Sequence, residues 1–222
     1  YATCAVIGAT TLESQFGLNQ GFGNYDDDLT GGHEIADIKV RERRAEEVTR
    51  RALRWIGSLG GNERRFFLWV HYMDPHIPYT PPSPYNTMFQ DDLSGLPTPL
   101  PLLSVNTGTG GIPFSAQLGT ESDARYYVSQ YDGEIRFLDH WIGELLKEVR
   151  ALGLLDTTVI VFTADHGEGM GEHEYYFNHP EFVYSALLHV PLLLRLPGRS
   201  PGSREFSEPV ASVDVMPTIL EM

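Results

Sequence analysis

The sequence predicts an α/β fold in which a largely parallel central sheet is covered by helices on both faces, and three observations predict it. Short apolar runs recur at residues 1–8, 65–72, 158–162 and 191–196. Between them, two stretches at about 38–59 and 121–152 carry apolar residues at helical spacing. Strand and helix patterns that alternate in this way build parallel sheets with helical cover. Finally, two of the apolar runs end abruptly in clusters of His, Asp and Glu, and the carboxyl ends of strands are where open α/β sheets hold ligands.

Each element has its own reason. Residues 1–8 are a short apolar strand, and Gly8-Ala9-Thr10 turns it into a loop containing Asp26-Asp27-Asp28. Those three successive Asp lack the alternate spacing and the glycine of an EF-hand loop, so an exposed acidic turn is expected. From Ile38 to Leu59, Val40, Ala45, Val48, Ala52, Leu53 and Ile56 mark one helix face. Glu46 and Glu47 stand four residues before Arg50 and Arg51, so the six arginines of this stretch read as a solvated face rather than an anion site. Gly60-Gly61-Asn62 stops the helix, and Phe66 to Val70 form the core of a second strand.

Residues 83–120 are rich in Pro, Gly, Ser and Thr without sustained periodicity, which predicts an irregular excursion within one domain spanning 1–222. The second long helix follows, with Asp132, Glu134 and Asp139 expected as exposed or capping charges. Thr158-Val159-Ile160-Val161-Phe162 reads as a buried parallel strand, and Glu181–His189 as a short helix. Pro191–Leu196 is a further strand, and Ser212 or Asp214 caps a terminal helix.

Composition narrows the function classes. The 222 residues hold 16 Lys and Arg against 30 Asp and Glu, a formal charge of -14 that argues against a nucleic-acid partner. The single cysteine, Cys4, excludes an intramolecular disulfide framework and a cysteine-based zinc cluster. No apolar run has the length of a membrane span. The start lacks a signal peptide and an initiator Met, and the end falls inside a helical pattern, which predicts a fragment. Any export signal would precede Tyr1, so the compartment stays open.

The chemistry-bearing residues sit after two strands. Thr163-Ala164-Asp165-His166-Gly167-Glu168 leaves one strand, with Glu172, His173 and His179 following in a glycine-broken loop. An aspartate and a histidine side by side are divalent-metal ligand types, so a metal site is expected here. The other strand ends in His71-Tyr72-Met73-Asp74-Pro75-His76-Ile77-Pro78-Tyr79, where the prolines fix His76 on a stiff loop at the same predicted edge.

These stretches, with Gly21-Phe22, Asp139–Gly143, Val190–Gly198 and Val213–Leu220 in the same order, resemble the sulfatases of the alkaline phosphatase superfamily. The resemblance implies an alkaline phosphatase-like fold and hydrolysis of a small-molecule or saccharide sulfate ester. It implies a divalent metal, most often calcium, bound in part by Asp165 and His166. His76 matches the histidine near the leaving-group oxygen, and His179 stands about where many members place a sulfate-contacting Lys. His173 and Asn178 fall at candidate substrate-binding positions. The family's nucleophile is a formylglycine made from Cys or Ser in Cys/Ser-x-Pro-x-Arg. Cys4 is followed by Ala5-Val6-Ile7, and Ser200-Pro201-Gly202-Ser203-Arg204 has its proline one place early, so the nucleophile and the acidic pair completing the metal site are expected upstream. The fragment alone is then expected to be inactive. Three alternatives remain: a phosphoester or phosphonate hydrolase, a zinc-dependent phosphoethanolamine transferase, and a non-catalytic pseudoenzyme, with manganese or zinc the expected metal of a phosphoryl-transfer relative.

Overall fold

A computed structural model describes residues 1–35, 40–60, 65–90, 98–198, 202 and 204–222, with the backbone alone at 33–35. Its centre is a parallel three-stranded sheet in the order β2 (Asn24–Asp26), β1 (Ala2–Val6), β5 (Phe66–Val70). The β1–β5 register runs from Ala2 opposite Phe66 to Val6 opposite Val70. Alternation sends Cys4 and Val6 to one face, where they pack with Leu68, Val70, and Val48 and Ala52 of helix α1 (Ala45–Ser58). Leu145 of helix α2 (Ala124–Ala151) joins the same cluster. Over the opposite face, the Phe22 ring lies 5.9 Å from Phe67 and 6.1 Å from Trp69. The expected α/β class with a parallel sheet and helical cover is therefore observed.

The first helix begins later than its spacing suggests. Residues 40–42 form β4, paired antiparallel with β3 (His33–Ile35), and α1 starts at Ala45; residues 36–39 lie outside the described set. The cause is Arg43, whose side chain is buried rather than solvated. Its guanidinium donates to the carbonyls of Ile7 (3.1 Å), Asp26 (3.1 Å) and Asp28 and to the Asp26 carboxylate (2.7 Å), tying β1 to β2. Arg51 also reaches Asp26 at 2.9 Å, so the expected acidic turn is instead partly enclosed by arginines at its first residue. The helical pairs behave as spaced, with Arg51 Nε donating to Glu47 at 2.6 Å. The stop at Gly61-Asn62 and most of Ser200–Arg204 fall outside the described residues.

Beyond α2, β6 (Ile160–Thr163) pairs antiparallel with β7 (Leu192–Arg195), Ile160 opposite Arg195 and Thr163 opposite Leu192. The segment expected as a buried parallel strand is thus a half-buried antiparallel one. Its connection to β7 is long but doubles back through loops and the four-residue helix α3 (Ser185–Leu188), without the helix that usually carries a parallel crossover. Leu192, Leu193 and Leu194 remain 40–63% exposed. The chain closes with α4 (Val215–Glu221), and no helix among the described residues is long and apolar enough to cross a membrane.

A second apolar cluster unites Ile77 and Tyr79 from the loop after β5 with Ile112 and Ala116 of the excursion, Tyr127 of α2, and Phe177. The described part of the excursion is therefore packed, not loose. One helix charge departs from expectation: Asp139 is exposed, but Glu134 is 4% exposed and faces inward. It lies on the stripe that buries Tyr127, Gln130 and Phe137, so its carboxyl is carried into the interior with them.

Candidate active site

Two loops meet at this end of the fold. The loop after β5 brings in His76, whose Nδ1–H donates to its neighbour's carbonyl, Ile77 O, at 2.9 Å. That contact puts a hydrogen on Nδ1, and among the described residues no hydrogen bond to Nε2 is seen. Burial pushes the His76 pKa down, and His179 and His166 push it the same way, against the Ile77 carbonyl and Glu168. His71, at the start of the loop, accepts the Gly8 N–H on Nδ1 at 3.2 Å and is also lowered by burial.

The loop after β6 supplies the rest. The His166 and His179 rings are stacked, with centroids 3.8 Å apart, and the His76 ring meets His179 edge-on at 5.2 Å. Three of the four residues expected at the chemistry are thus in one contiguous group, drawn from two strand ends. Asp165, the fourth, adjoins His166, with Oδ1 3.7 Å from His166 Nε2, and its side chain is 83% exposed. His166 Nδ1–H donates to Gly167 O at 2.8 Å, so its Nε2 lone pair faces the same open side as the Asp165 carboxylate. An oxygen donor and a deprotonated imidazole nitrogen at one opening are the donor types of a divalent-cation site. Among the described residues, no group of three such side chains converges to complete one.

The other two candidates are placed differently. His173 is exposed, holds a left-handed backbone (φ 59°), and lays its ring against Tyr184 at 4.3 Å. Asn178 is 4% exposed; its Nδ2 donates to Asn106 O at 3.1 Å and its Oδ1 accepts the His179 N–H at 3.1 Å. It therefore braces the residue beside it and ties the loop to the excursion. Further ties are Tyr176 N–H to Gly108 O (2.8 Å) and Gly110 N–H to Glu174 O (2.7 Å).

Glu168 was visible in the sequence only as one more acid in the loop. It is 8% exposed, with Oε1 3.3 Å from His179 Nδ1, an arrangement that orients the imidazole. The buried Tyr79 hydroxyl faces Glu168, whose charge, after burial, pushes the phenol pKa well up. Gly167 is required by close approach: a Cβ there would stand 2.0 Å from Ala186 O, and its N–H donates to Leu187 O at 2.7 Å.

An α/β fold with an Asp-His pair after β6 and a histidine converging on it from the loop after β5 is that of the alkaline phosphatase superfamily, to which its relatives belong. Within it, the chain belongs to the sulfatase family, whose sequence model matches residues 2–222. It is similar to a multifunctional alkaline phosphatase superfamily protein of Trinickia caryophylli, 29% identical over 194 residues, covering 78% of this chain and 36% of that protein. It is 26% identical to human iduronate 2-sulfatase over 198 residues, covering 79% of this chain and 34% of the sulfatase. The phosphonate monoester hydrolase of Silicibacter pomeroyi superposes with a TM-score of 0.64 at 29% identity, covering 81% of this chain and 38% of that one. The chain spans about a third of the length of these curated relatives.

Proposed function

We propose that this chain is the part of a sulfate-ester hydrolase that carries the leaving-group histidine and half of a divalent-cation site. The observation that carries the reading is the contact of His76 with His179 stacked on His166, which joins two strand-end loops into one polar site. Asp165 and His166 would hold the cation, calcium being the expected ion. When bound, it supplies positive charge to the ester oxygens and favours an ionised nucleophile, expected to be a formylglycine outside this chain.

The chain's own residues do the rest. His76 acts as the imidazolium: Nδ1–H donates to the Ile77 carbonyl while Nε2–H faces the leaving-group oxygen, which takes the Nε2 proton as the ester bond breaks. His179, backed by Glu168, offers Nε2 to the anionic ester and needs no lysine to do so. His173 and Asn178 remain candidate substrate-side positions, Asn178 acting through His179.

The test uses the protein with its complete upstream sequence. His76→Ala should lower kcat by about 10²- to 10⁴-fold for alkyl esters and much less for activated aryl esters. Equal loss for both overturns the proton-donor role. The second reading is a phosphonate or phosphodiester hydrolase, favoured by the likeness to a phosphonate monoester hydrolase. Paired assays on sulfate and phosphate esters separate the two.

A further inference from the structure

The loop that carries His76 is held from below by acids that the site does not use. Glu134 Oε1 accepts the Thr80 N–H at 2.9 Å, and the Asp74 carboxyl faces the same group. Asp74 and Thr80 bracket His76 in sequence, so one side chain of α2 grips both flanks of the loop. Asp74 in turn faces the Ala45 N–H in the first turn of α1, where the free amides and the helix dipole favour a carboxylate. Arg44 lies beside the pair and donates to Thr80 O at 2.9 Å.

Two buried carboxyls that face each other are not both ionised. Burial raises both, but the Ala45 N–H favours the charged form of Asp74 while the Asp74 charge raises Glu134 further, which makes Glu134 the acid. We propose that Glu134 is a positioning residue for His76: sharing one proton with Asp74 and accepting from Thr80, it fixes the 74–80 loop where the His76 ring meets His179. This rests on reading His76 as the proton donor.

The surroundings agree. Burial, then the Asp74 charge, pushes the Glu134 pKa to about 9. Glu42, on β4, is raised to about 8 by burial and Asp74, and its Oε1 is 4.0 Å from His76 Nδ1. Tyr72 is raised to about 12 by burial, with Asp74 adding to the shift, and Tyr79 also faces Glu134. Arg44 is the cation that acts on Glu42, Asp74 and Glu134. Asp74 Oδ2 and Glu42 Oε1 are buried without a hydrogen-bond partner among the described residues, so loss of the shared proton leaves negative charge unsatisfied beside the loop.

The sign of the linkage follows. Glu134 has a folded-state pKa raised from an ordinary 4.5, so its contribution to stability is complete below that value and is lost as pH rises toward about 9. The experiment records melting temperature against pH for the wild type, Glu134→Gln and Glu134→Ala, together with kcat and KM in the protein with its upstream sequence. Glutamine keeps a donor for Asp74 and an acceptor for Thr80 but cannot titrate. Its melting temperature should fall less than the wild type's between pH 5 and 9. Glu134→Ala should lower kcat about 10- to 100-fold with KM little moved, and glutamine should restore most of that loss. An unchanged slope in Glu134→Gln, or wild-type kcat in Glu134→Ala, overturns the proposal. Should the alanine variant not fold, the slope of the glutamine variant decides alone. The melting curves do not depend on what His76 does, so a failed leaving-group test at His76 is distinguishable from a failed proton-sharing pair.

Discussion

Gly167→Ala tests the link between local geometry and chemistry most directly. The added Cβ would stand 2.0 Å from the Ala186 carbonyl oxygen, against ordinary contacts of 3.4–4 Å, so backbone must move by at least about 1.4 Å. A flexible side chain cannot absorb this, because the obstacle is backbone, and the Gly167 N–H already bonds the next carbonyl, Leu187 O, at 2.7 Å. The displaced segment carries His166, whose Nδ1 donates to Gly167 O, and Glu168, which orients His179. Overpacking of this kind costs about 1–3 kcal/mol of stability. A shift of ~1 Å at a reacting group costs roughly 10²-fold in rate. The assay pairs chemical denaturation with steady-state kinetics, using Gly143→Ala on α2 as the control. A Cβ at Gly143 meets nothing within 4 Å, and in a helix interior alanine should stabilise by roughly 0.5–1 kcal/mol. If Gly167→Ala kept wild-type kcat and stability, the packing of α3 against the loop would not be what positions the histidines.

Other variants probe neighbouring links. Phe177→Ala removes a fully buried ring stacked 4.8 Å from Tyr127 and 6.1 Å from Tyr79, and should cost about 3–5 kcal/mol in a urea titration; under about 1 kcal/mol would mean the second cluster closes without it. Glu168→Gln should lower kcat roughly 10- to 100-fold and add little to His179→Ala in the double variant, since both act through one imidazole; full additivity would refute the coupling. Chelation should abolish activity and added calcium restore it, and Asp165→Ala should raise the calcium needed by at least ~10-fold; an activity indifferent to chelator removes the cation from the reading.

The parts of this architecture that were legible in the sequence are those written in apolar spacing. The runs that became β1, β5 and β6 and the stripe of α2 stand close to where periodicity puts them, and the histidines placed at two strand ends do meet. What escaped was written in polar partnerships. Arg43 looked like one cation among six, because spacing does not reveal that four oxygens of β1, β2 and the following turn wait for its guanidinium. Glu134 looked like an ordinary helix charge, although its spacing from Tyr127, Gln130 and Phe137 already put it on the buried face. The direction of β7 was not encoded in its own residues; it follows from how the intervening loop folds back.

That loop is fastened along its length to the excursion. Tyr176 bonds Gly108, Gly110 bonds Glu174, and Asn178 bonds Asn106, while Thr109 bridges Tyr175. A protein engineer seeking altered selectivity would naturally swap the excursion alone, as if it were an independent cassette. Such a graft would strip partners from Tyr176 and Asn178, immediate neighbours of Phe177 and His179, and so disturb turnover along with recognition. The transplantable module is the excursion together with residues 163–180, moved as a pair.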